Sequence, residues 1–265
     1  SGISTGLSRI WRILSSSMSK KPTQPLFDWT ARRAMVTGAD GFVGRWLSQA
    51  LAKRGAKVTA LLWSGSDDAQ AEDTLQAAGA AIVRGDVTDL AAMSRVVCDG
   101  GIDTVFHLAA VNTNRKDGLS PYELFETNIR GTYTVLEACR NASPGTRAIV
   151  SSRKEDEDCF RPESGRKHHP YMTSKASAEL IARTYGDTFG VPAAMVRADN
   201  IYGGGDFNWQ RLVPGAIRSL LKGETPVIRS SGKLQRDYVY VEDAVAAYLA
   251  IAERLDRPDV AGKLF

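Results

Sequence analysis

Short apolar runs alternate with amphipathic stretches from residue 34 to residue 197. The runs are continuous, as in strands buried on both faces, and the stretches between them show the spacing of apolar positions typical of helices. This alternation predicts an α/β fold, a doubly wound parallel (Rossmann) sheet with right-handed crossovers. The predicted strands are Ala34–Thr37, Val58–Trp63, Ala81–Arg84, Thr104–Leu108, Ala148–Ser151 and Ala193–Arg197. The predicted helices are Phe42–Arg54, one around Leu75, Tyr122–Arg140 and Tyr171–Phe189.

The pattern changes after Arg197, where three glycines interrupt the alternation at residues 203–205. We interpret residues 34–197 as a dinucleotide-binding domain and residues 198–265 as a smaller substrate-binding lobe. The chain ends in an apolar segment, so we expect this lobe to be incomplete. Its predicted elements are a helix at Leu212–Leu221, a strand at Pro226–Ile228 and a helix at Val241–Arg254.

Residues 1–33 are interpreted as an N-terminal extension that begins with a Ser-rich, basic stretch. Its short apolar run is interrupted by Arg12, which makes it unsuitable as a signal-peptide core. Met18 is a more natural start, so we expect residues 1–17 to come from cloning or from untranslated leader sequence. A transit peptide is the alternative, because no acidic residue precedes Asp28.

Composition narrows the class of protein. The 265 residues are 43% hydrophobic and 24% charged, which is typical of a globular protein, and no run of about 18 apolar residues predicts a membrane helix. The net charge of +4 is scattered, which argues against nucleic-acid binding. Three cysteines without a C-x-x-C pair predict reduced thiols, no metal site and a cytoplasmic location.

A glycine-rich loop follows the first predicted strand and leads into the first helix. Its spacing is G-x-x-G-x-x-G, which permits a tight turn and close approach of the backbone to a pyrophosphate at a helix N-terminus. The second strand ends in Trp63 rather than in the acid that usually holds the adenine ribose, and Asp67 and Asp68 are the nearest acids. No arginine cluster stands there either, so NAD is favoured and NADP stays open. The candidate cofactor-binding residues here are Gly38, Asp40, Gly41, Phe42, Val43 and Gly44.

Tyr171 and Lys175 form a Y-x-x-x-K pattern at the start of a predicted helix. With the glycine loop, this pattern resembles the extended short-chain dehydrogenase/reductases, in the NAD-dependent epimerase/dehydratase family. The stretch 203–214 is most similar to the CDP-glucose 4,6-dehydratase branch of that family. Other segments that match in order are Gly85-Asp86-Val87, His107-Leu108-Ala109-Ala110, the helix segment with Asn128, Arg197 to Gly203, and Arg236 to Asp243.

The resemblance implies an NAD(P)-dependent enzyme that transiently oxidises a nucleotide sugar, with a CDP-hexose favoured, at C4. It also implies a homodimer formed through the helices Tyr122–Arg140 and Tyr171–Phe189. Ser152 corresponds to the catalytic hydroxyl of the family. The further cofactor contacts that it implies are Asp86, Val87, Leu108, Ala109, Ala110, Asn128, Tyr171 and Lys175. The implied substrate contacts are Asn200, Arg211 and Arg236.

The residue types suit this chemistry. A tyrosine with a pKa of about 10 is a poor base, and a lysine one helical turn away favours its phenolate, so Tyr171 can take a proton while hydride leaves the sugar. Arg236 can bind a diphosphate bidentately. For Arg211, a second phosphate contact and an ordinary surface charge are equally good interpretations.

The sequence departs from the family after the catalytic hydroxyl. Dehydratases of the family place an acid there, whereas this chain has Arg153, which stays protonated and is a poor general acid. The next residue, Lys154, fits the CDP-sugar branch. Epimerase and 4,6-dehydratase activities therefore both stay open, with epimerase-type redox chemistry ahead. The alternative is a noncatalytic or differently specific dinucleotide-binding protein of the same fold.

Overall fold

The computed structural model describes residues 27–112, 120–142, 145–153, 169–228 and 230–265. Its main sheet has six parallel strands in the order β3-β2-β1-β4-β5-β6. The doubly wound parallel fold predicted from the sequence is therefore confirmed. The strands are β1 (Arg33–Thr37), β2 (Lys57–Trp63), β3 (Ala81–Gly85), β4 (Thr104–His107), β5 (Arg147–Ser152) and β6 (Ala193–Arg197).

Helices cover both faces of this sheet. On one face, Leu47 and Leu51 of the first helix pack with Phe106 and with Tyr248 of the last helix. On the other face, Met93, Val135 and Ala182 belong to a second apolar cluster. The helices are α1 (Phe42–Lys53), α2 (Ala69–Ala77), α3 (Leu90–Ser94, continued by a π-helical turn at Arg95–Asp99), α4 (Pro121–Phe125, a π-helical turn at Glu126–Arg130, and Gly131–Asn141), α5 (Pro170–Phe189), α6 (Leu212–Leu221) and α7 (Val241–Ala252).

The region after β6 differs from the sequence prediction. The predicted strand Pro226–Ile228 is wrong, because residues 224–228 have no regular structure and Val227 is 77% exposed. A two-stranded parallel sheet forms instead between β7 (Ile201–Tyr202) and β8 (Val239–Tyr240). An apolar run predicts a strand only where a partner strand lies beside it, and here the partner of β7 comes later in the chain.

Residues outside the predicted dinucleotide-binding domain also pack on the main sheet. Trp29 is buried against Phe106, and its indole N–H donates to Glu253 (2.9 Å). At the other end, the N–H of Arg197 donates to the carbonyl of Phe265 (2.8 Å). The domain boundary after Arg197 stays a prediction, while α7 and the last residues lie against the same sheet as the first strands.

Candidate active site

A cleft of about 810 Å³ opens at the carboxyl ends of β1 and β4, where the strand order reverses. In open parallel sheets this reversal point is where ligands bind, because the two flanking loops separate there. Many of the cofactor-binding candidates line this cleft. They are Gly38, Asp40, Gly41, Asp86, Val87, Leu108, Ala109 and Ala110.

The glycine loop has little space for side chains at its three glycine positions. Gly38 has φ +64°, and a Cβ there would lie 2.9 Å from the backbone of Ala109. A Cβ at Gly44 would lie 2.2 Å from the carbonyl oxygen of Gly38, while one at Gly41 would lie 3.1 Å from the same atom. Helix α1 begins directly afterwards at Phe42, so Phe42, Val43 and Gly44 supply its first-turn N–H groups. This bare cradle beside a helix N-terminus fits a dinucleotide pyrophosphate.

The far end of the cleft lies beyond β2. Trp63, Ser66 and Asp68 line it. The carboxylate of Asp68 caps α2 by accepting from the N–H of Ala71 (2.9 Å) and lies 3.7 Å from the guanidinium of Arg45. Of the two acids that the sequence brings near this end, the structure thus places Asp68 in the lining. A carboxylate there favours a ribose with free hydroxyl groups over a 2′-phosphate.

A buried polar chain supports the cleft floor. The hydroxyl of Thr37 lies 2.9 Å from Nδ1 of His107, and Nε2 of His107 lies 3.2 Å from the hydroxyl of Thr132. Because the Thr37 oxygen accepts from the N–H of Ala109 (3.1 Å), its proton is available to Nδ1. Burial, aided by the charge of Lys175, lowers the pKa of His107 to about 3. His107 is therefore a neutral packing residue, in agreement with its position at a strand end.

Asn128 holds the loop after β4. Its side-chain oxygen accepts from the N–H of Val111 (2.8 Å), and its amide donates to the carbonyl of Val111 (2.9 Å) and to the hydroxyl of Ser174 (2.9 Å). Both amide hydrogens are thus used within the protein. The π-helical turn of α4 carries Asn128. Its predicted contact with the cofactor stays a prediction, and the structure shows that it joins the cleft wall at Val111 to α5.

The predicted catalytic residues meet at the carboxyl edge of β5. Tyr171 lies in the first turn of α5, where its N–H donates to Nδ1 of His169 (3.3 Å). The buried ammonium of Lys175 donates to the carbonyl of Ser151 (3.1 Å), and the hydroxyl of the buried Ser152 donates to the carbonyl of Lys175 (3.4 Å). The structure therefore brings Tyr171, Lys175 and Ser152 to one edge of the sheet.

The charges around Tyr171 differ from the sequence expectation. Burial raises the pKa of Tyr171, the positive charge of Arg153 opposes this rise, and the carboxylate of Asp199 adds to it. Burial lowers the pKa of Lys175 itself to about 8, against a smaller opposing effect of Glu179. Among the residues that the structure describes, Arg153 is thus a cation that favours the phenolate.

A second cavity, of about 290 Å³, lies beside the first turn of α5 and is lined by Met172 of that turn. Asn200, which has φ +45°, lines this cavity and donates from its amide to the carbonyl of Asp237 (3.1 Å). Arg236 lines it as well, so the structure brings two of the three substrate-contact candidates together. The other lining residues are Arg153, Asp199, Gln235 and Asp237.

Arg211 does not line this cavity. Its guanidinium bonds the buried carboxylate of Asp206 (2.9 Å) and the carbonyl of Ile201 (2.6 Å). These contacts hold the segment between β7 and α6. The guanidinium is therefore bound within the protein and is not a free surface charge, and the predicted phosphate contact of Arg211 stays a prediction.

Two contacts at the site were not predicted. The indole N–H of Trp46 on α1 donates to the carbonyl of Gly204 (2.7 Å), which ties α1 to the segment after β7. Arg153 pairs with Asp199 across the second cavity (Nε to Oδ1, 3.0 Å). Neither contact has a local sequence signal, since the partners lie on distant parts of the chain. Lys154, which fits the CDP-sugar branch, lies outside the described residues.

Metal-binding clusters and membrane-spanning helices are both absent from the residues that the structure describes. They contain no group of three or more His, Cys, Asp or Glu side chains placed to hold a metal ion. No helix among them is long and apolar enough to cross a membrane.

Comparison with known proteins identifies one family and several relatives that act on nucleotide sugars by their names. The sequence model of the NAD dependent epimerase/dehydratase family matches residues 34–263. A CDP-glucose 4,6-dehydratase from Salmonella typhimurium is 30% identical over 257 residues, covering 86% of this chain and 68% of the relative. A dTDP-4-dehydro-6-deoxy-D-allose reductase from a Streptomyces species is 31% identical over 250 residues, covering 88% and 76%.

Two solved structures resemble the chain with similar sequence identities and TM-scores. DesIV, a dTDP-glucose 4,6-dehydratase from Streptomyces venezuelae with NAD and TYD bound, is 25% identical with a TM-score of 0.69, covering 88% of this chain and 74% of that chain. WbmF from Bordetella bronchiseptica, in complex with NAD+, has a TM-score of 0.71 at 23% identity, covering 91% and 73%, and shows likeness of fold.

Proposed function

This chain belongs to the NAD dependent epimerase/dehydratase family, as its motifs indicated, and from that premise we propose that it oxidises a nucleotide sugar transiently at C4. One observation carries the proposal. The first turn of α5 presents Tyr171, contributes Met172 to the smaller cavity, and is tied through Ser174 and Asn128 to the wall of the larger cleft. The candidate base thus stands on the element that joins the two cavities.

The protein's own residues would divide the work as follows. The glycine loop and the N-terminus of α1 would hold NAD, which when bound supplies a hydride acceptor. Tyr171 would accept the proton of the sugar hydroxyl, and Ser152 would orient that oxygen. Arg236 would bind the diphosphate in the smaller cavity, with Asn200 beside it.

The outcome of the oxidation depends on whether a proton donor stands near the leaving hydroxyl. Arg153 remains protonated at all physiological pH and is paired with Asp199, so neither its guanidinium nor this paired carboxylate is suited to donate a proton. This pairing favours epimerase-type redox chemistry. The relationship to the Salmonella CDP-glucose 4,6-dehydratase supports elimination as the alternative, and a CDP-hexose as substrate.

Mass spectrometry of CDP-, UDP-, dTDP- and GDP-hexoses incubated with the protein and NAD in heavy water tests the proposal. We expect an isomeric product without loss of water. Loss of water with deuterium uptake would identify a 4,6-dehydratase instead. If no sugar nucleotide changes and added NAD is never reduced, although it binds, the protein is a noncatalytic dinucleotide-binding protein and the proposal is wrong.

The face formed by α4 and α5 supports a homodimer. The two helices expose large apolar side chains to water in a single chain, among them Tyr133, Leu180 (62% exposed) and Phe189. Helices α4 and α5 contact one another, so the face is continuous. We propose that two chains pair through this face, in line with the expectation from the family resemblance.

A charge on this face should separate the dimer. We expect Leu180→Asp to shift the mass measured by light scattering from two chains to one, because pairing would bury the new carboxylate against apolar surface. Leu221→Asp on α6 is the matched control, since Leu221 is 83% exposed and lies on another helix. A Leu180→Asp protein that keeps the mass of two chains would contradict this interface.

A further inference from the structure

Two arginines meet the far end of the large cleft, although the stretch from β2 to α2 contains none. Arg45 comes from the first turn of α1 and Arg84 from β3. Each forms an ion pair with the start of α2, Arg45 with the N-cap residue Asp68 and Arg84 with Glu72 in the first turn. Asp68 and Ser66, which Arg84 also contacts, line the cleft. Folding therefore places two guanidinium groups behind this part of the lining.

The two arginines are held with different strength. The guanidinium of Arg84 donates to the carbonyl of Ser66 (2.8 Å) and bonds the carboxylate of Glu72 directly. The guanidinium of Arg45 lies 3.7 Å from Oδ2 of Asp68, which is longer than a hydrogen bond, and the structure gives it no hydrogen bond within the described part of the chain. Arg45 thus has N–H groups left to donate, whereas Arg84 is fixed by two bonds.

The two carboxylate oxygens of Asp68 have separate contacts. Oδ1 accepts from the N–H of Ala71 (2.9 Å) and so caps α2, while Oδ2 faces Arg45. The side chain of Asp68 is 42% exposed, and that of Arg45 only 14%. A phosphate that entered this end of the cleft would be repelled by the carboxylate and would compete with it for the guanidinium. An asparagine would keep the capping oxygen and remove the charge.

We propose that Arg45 is a latent ligand for the 2′-phosphate of NADP and that Asp68, by pairing with it, makes the cleft select NAD. A guanidinium keeps its charge and binds phosphate bidentately, which suits Arg45 for this contact once its partner is neutral. The end of β2, where an acid commonly makes this selection, carries Trp63 instead. The inference requires a dinucleotide in the cleft and does not depend on the proposed sugar chemistry.

Calorimetric titration of an Asp68→Asn variant with NAD and with NADP tests the pair. We expect the affinity for NADP to rise by about 10- to 100-fold, the range for one hydrogen bond to a charged group, and the affinity for NAD not to rise. Asparagine is as good an N-cap as aspartate, so α2 should stay intact. Thermal unfolding without cofactor establishes that the variant is folded.

A second change identifies the ligand of the phosphate. In the double variant Asp68→Asn, Arg45→Gln, the gain in NADP affinity should be lost, because the guanidinium that binds the phosphate is gone. Asp67→Asn is the matched control, since it removes one negative charge from the residue before Asp68 and leaves the ion pair in place. Its effect on NADP affinity should be much smaller. An unchanged NADP affinity in Asp68→Asn, or a gain that persists without Arg45, would overturn the proposal.

Two shorter probes locate the effect. AMP and adenosine 2′,5′-bisphosphate differ only in the 2′-phosphate, so the gain in Asp68→Asn should appear with the bisphosphate and not with AMP. Equal gains with both probes would mean that Arg45 binds the 5′-phosphate, and would overturn the proposal. These titrations contain no sugar nucleotide. Their result therefore supports or overturns the role of Arg45 and Asp68 whether or not the protein oxidises a sugar.

Discussion

Replacing Tyr171 with phenylalanine should lower kcat by about 10²- to 10⁴-fold, the range for loss of one general acid–base group. The change removes a single oxygen from a side chain in the first turn of α5 and leaves its ring packing in place. The glycine loop and the lining of the large cleft are unaffected, so NAD should still bind. The measurement is turnover by mass spectrometry, with NAD binding followed by calorimetry.

Tyr185→Phe is a control on the same helix. The hydroxyl of Tyr185 donates to the carboxylate of Glu137 (3.0 Å), away from both cavities. Its loss should lower the free energy of unfolding by about 1 kcal/mol and leave kcat unchanged. If the Tyr171→Phe variant, by contrast, turned over substrate at the wild-type rate, Tyr171 would not be the catalytic base.

Replacing Gly41 with valine should weaken NAD binding by about 10- to 100-fold, the equivalent of ~1–3 kcal/mol of overpacking. Gly41 lines the large cleft and has φ −70°, which valine can adopt, and a Cβ there meets only the carbonyl oxygen of Gly38 at 3.1 Å. The protein should therefore fold, and the added methyl groups should occupy space next to the pyrophosphate.

The smaller change Gly41→Ala grades the effect, and its loss of NAD affinity should be less than that of Gly41→Val. Gly38→Ala is less informative, because the clash with Ala109 and the positive φ would distort the loop itself. Calorimetric titration with NAD measures the affinities, and thermal unfolding without NAD measures the stability. Wild-type NAD affinity in Gly41→Val would contradict the assignment of the loop.

Local patterns predicted the main sheet well. Continuous apolar runs gave the positions of the strands from β1 to β6 within a residue or two, because strands buried on both faces leave a clear signal. The same reasoning missed α3, because its two segments of five residues each are too short to show a clear helical spacing of apolar positions. It also predicted a continuous helix at Tyr122–Arg140, in which the structure has a π-helical turn around Asn128.

Charged side chains were harder to predict. Arg236 was proposed for the substrate site and lines the smaller cavity, whereas Arg211, for which a phosphate contact and a surface charge were equally good interpretations, bonds Asp206. Arg153 was recognised as unfit to donate a proton. Its pairing with Asp199 could not be foreseen, because the two residues belong to different strand ends. The partner of a charged side chain depends on which strands lie side by side and in which register, and this cannot be read from one segment of the sequence.

The sequence by itself determined the fold class, the glycine loop and the Tyr171–Lys175 pattern. These features depend on short-range requirements: the period of apolar positions, glycine where the backbone must approach a ligand, and two side chains one helical turn apart. Only the tertiary structure decided which groups surround Tyr171. Burial and the carboxylate of Asp199 raise its pKa, and the charge of Arg153 lowers it. Arg153 and Asp199 meet because β5 and β6 lie side by side in the sheet.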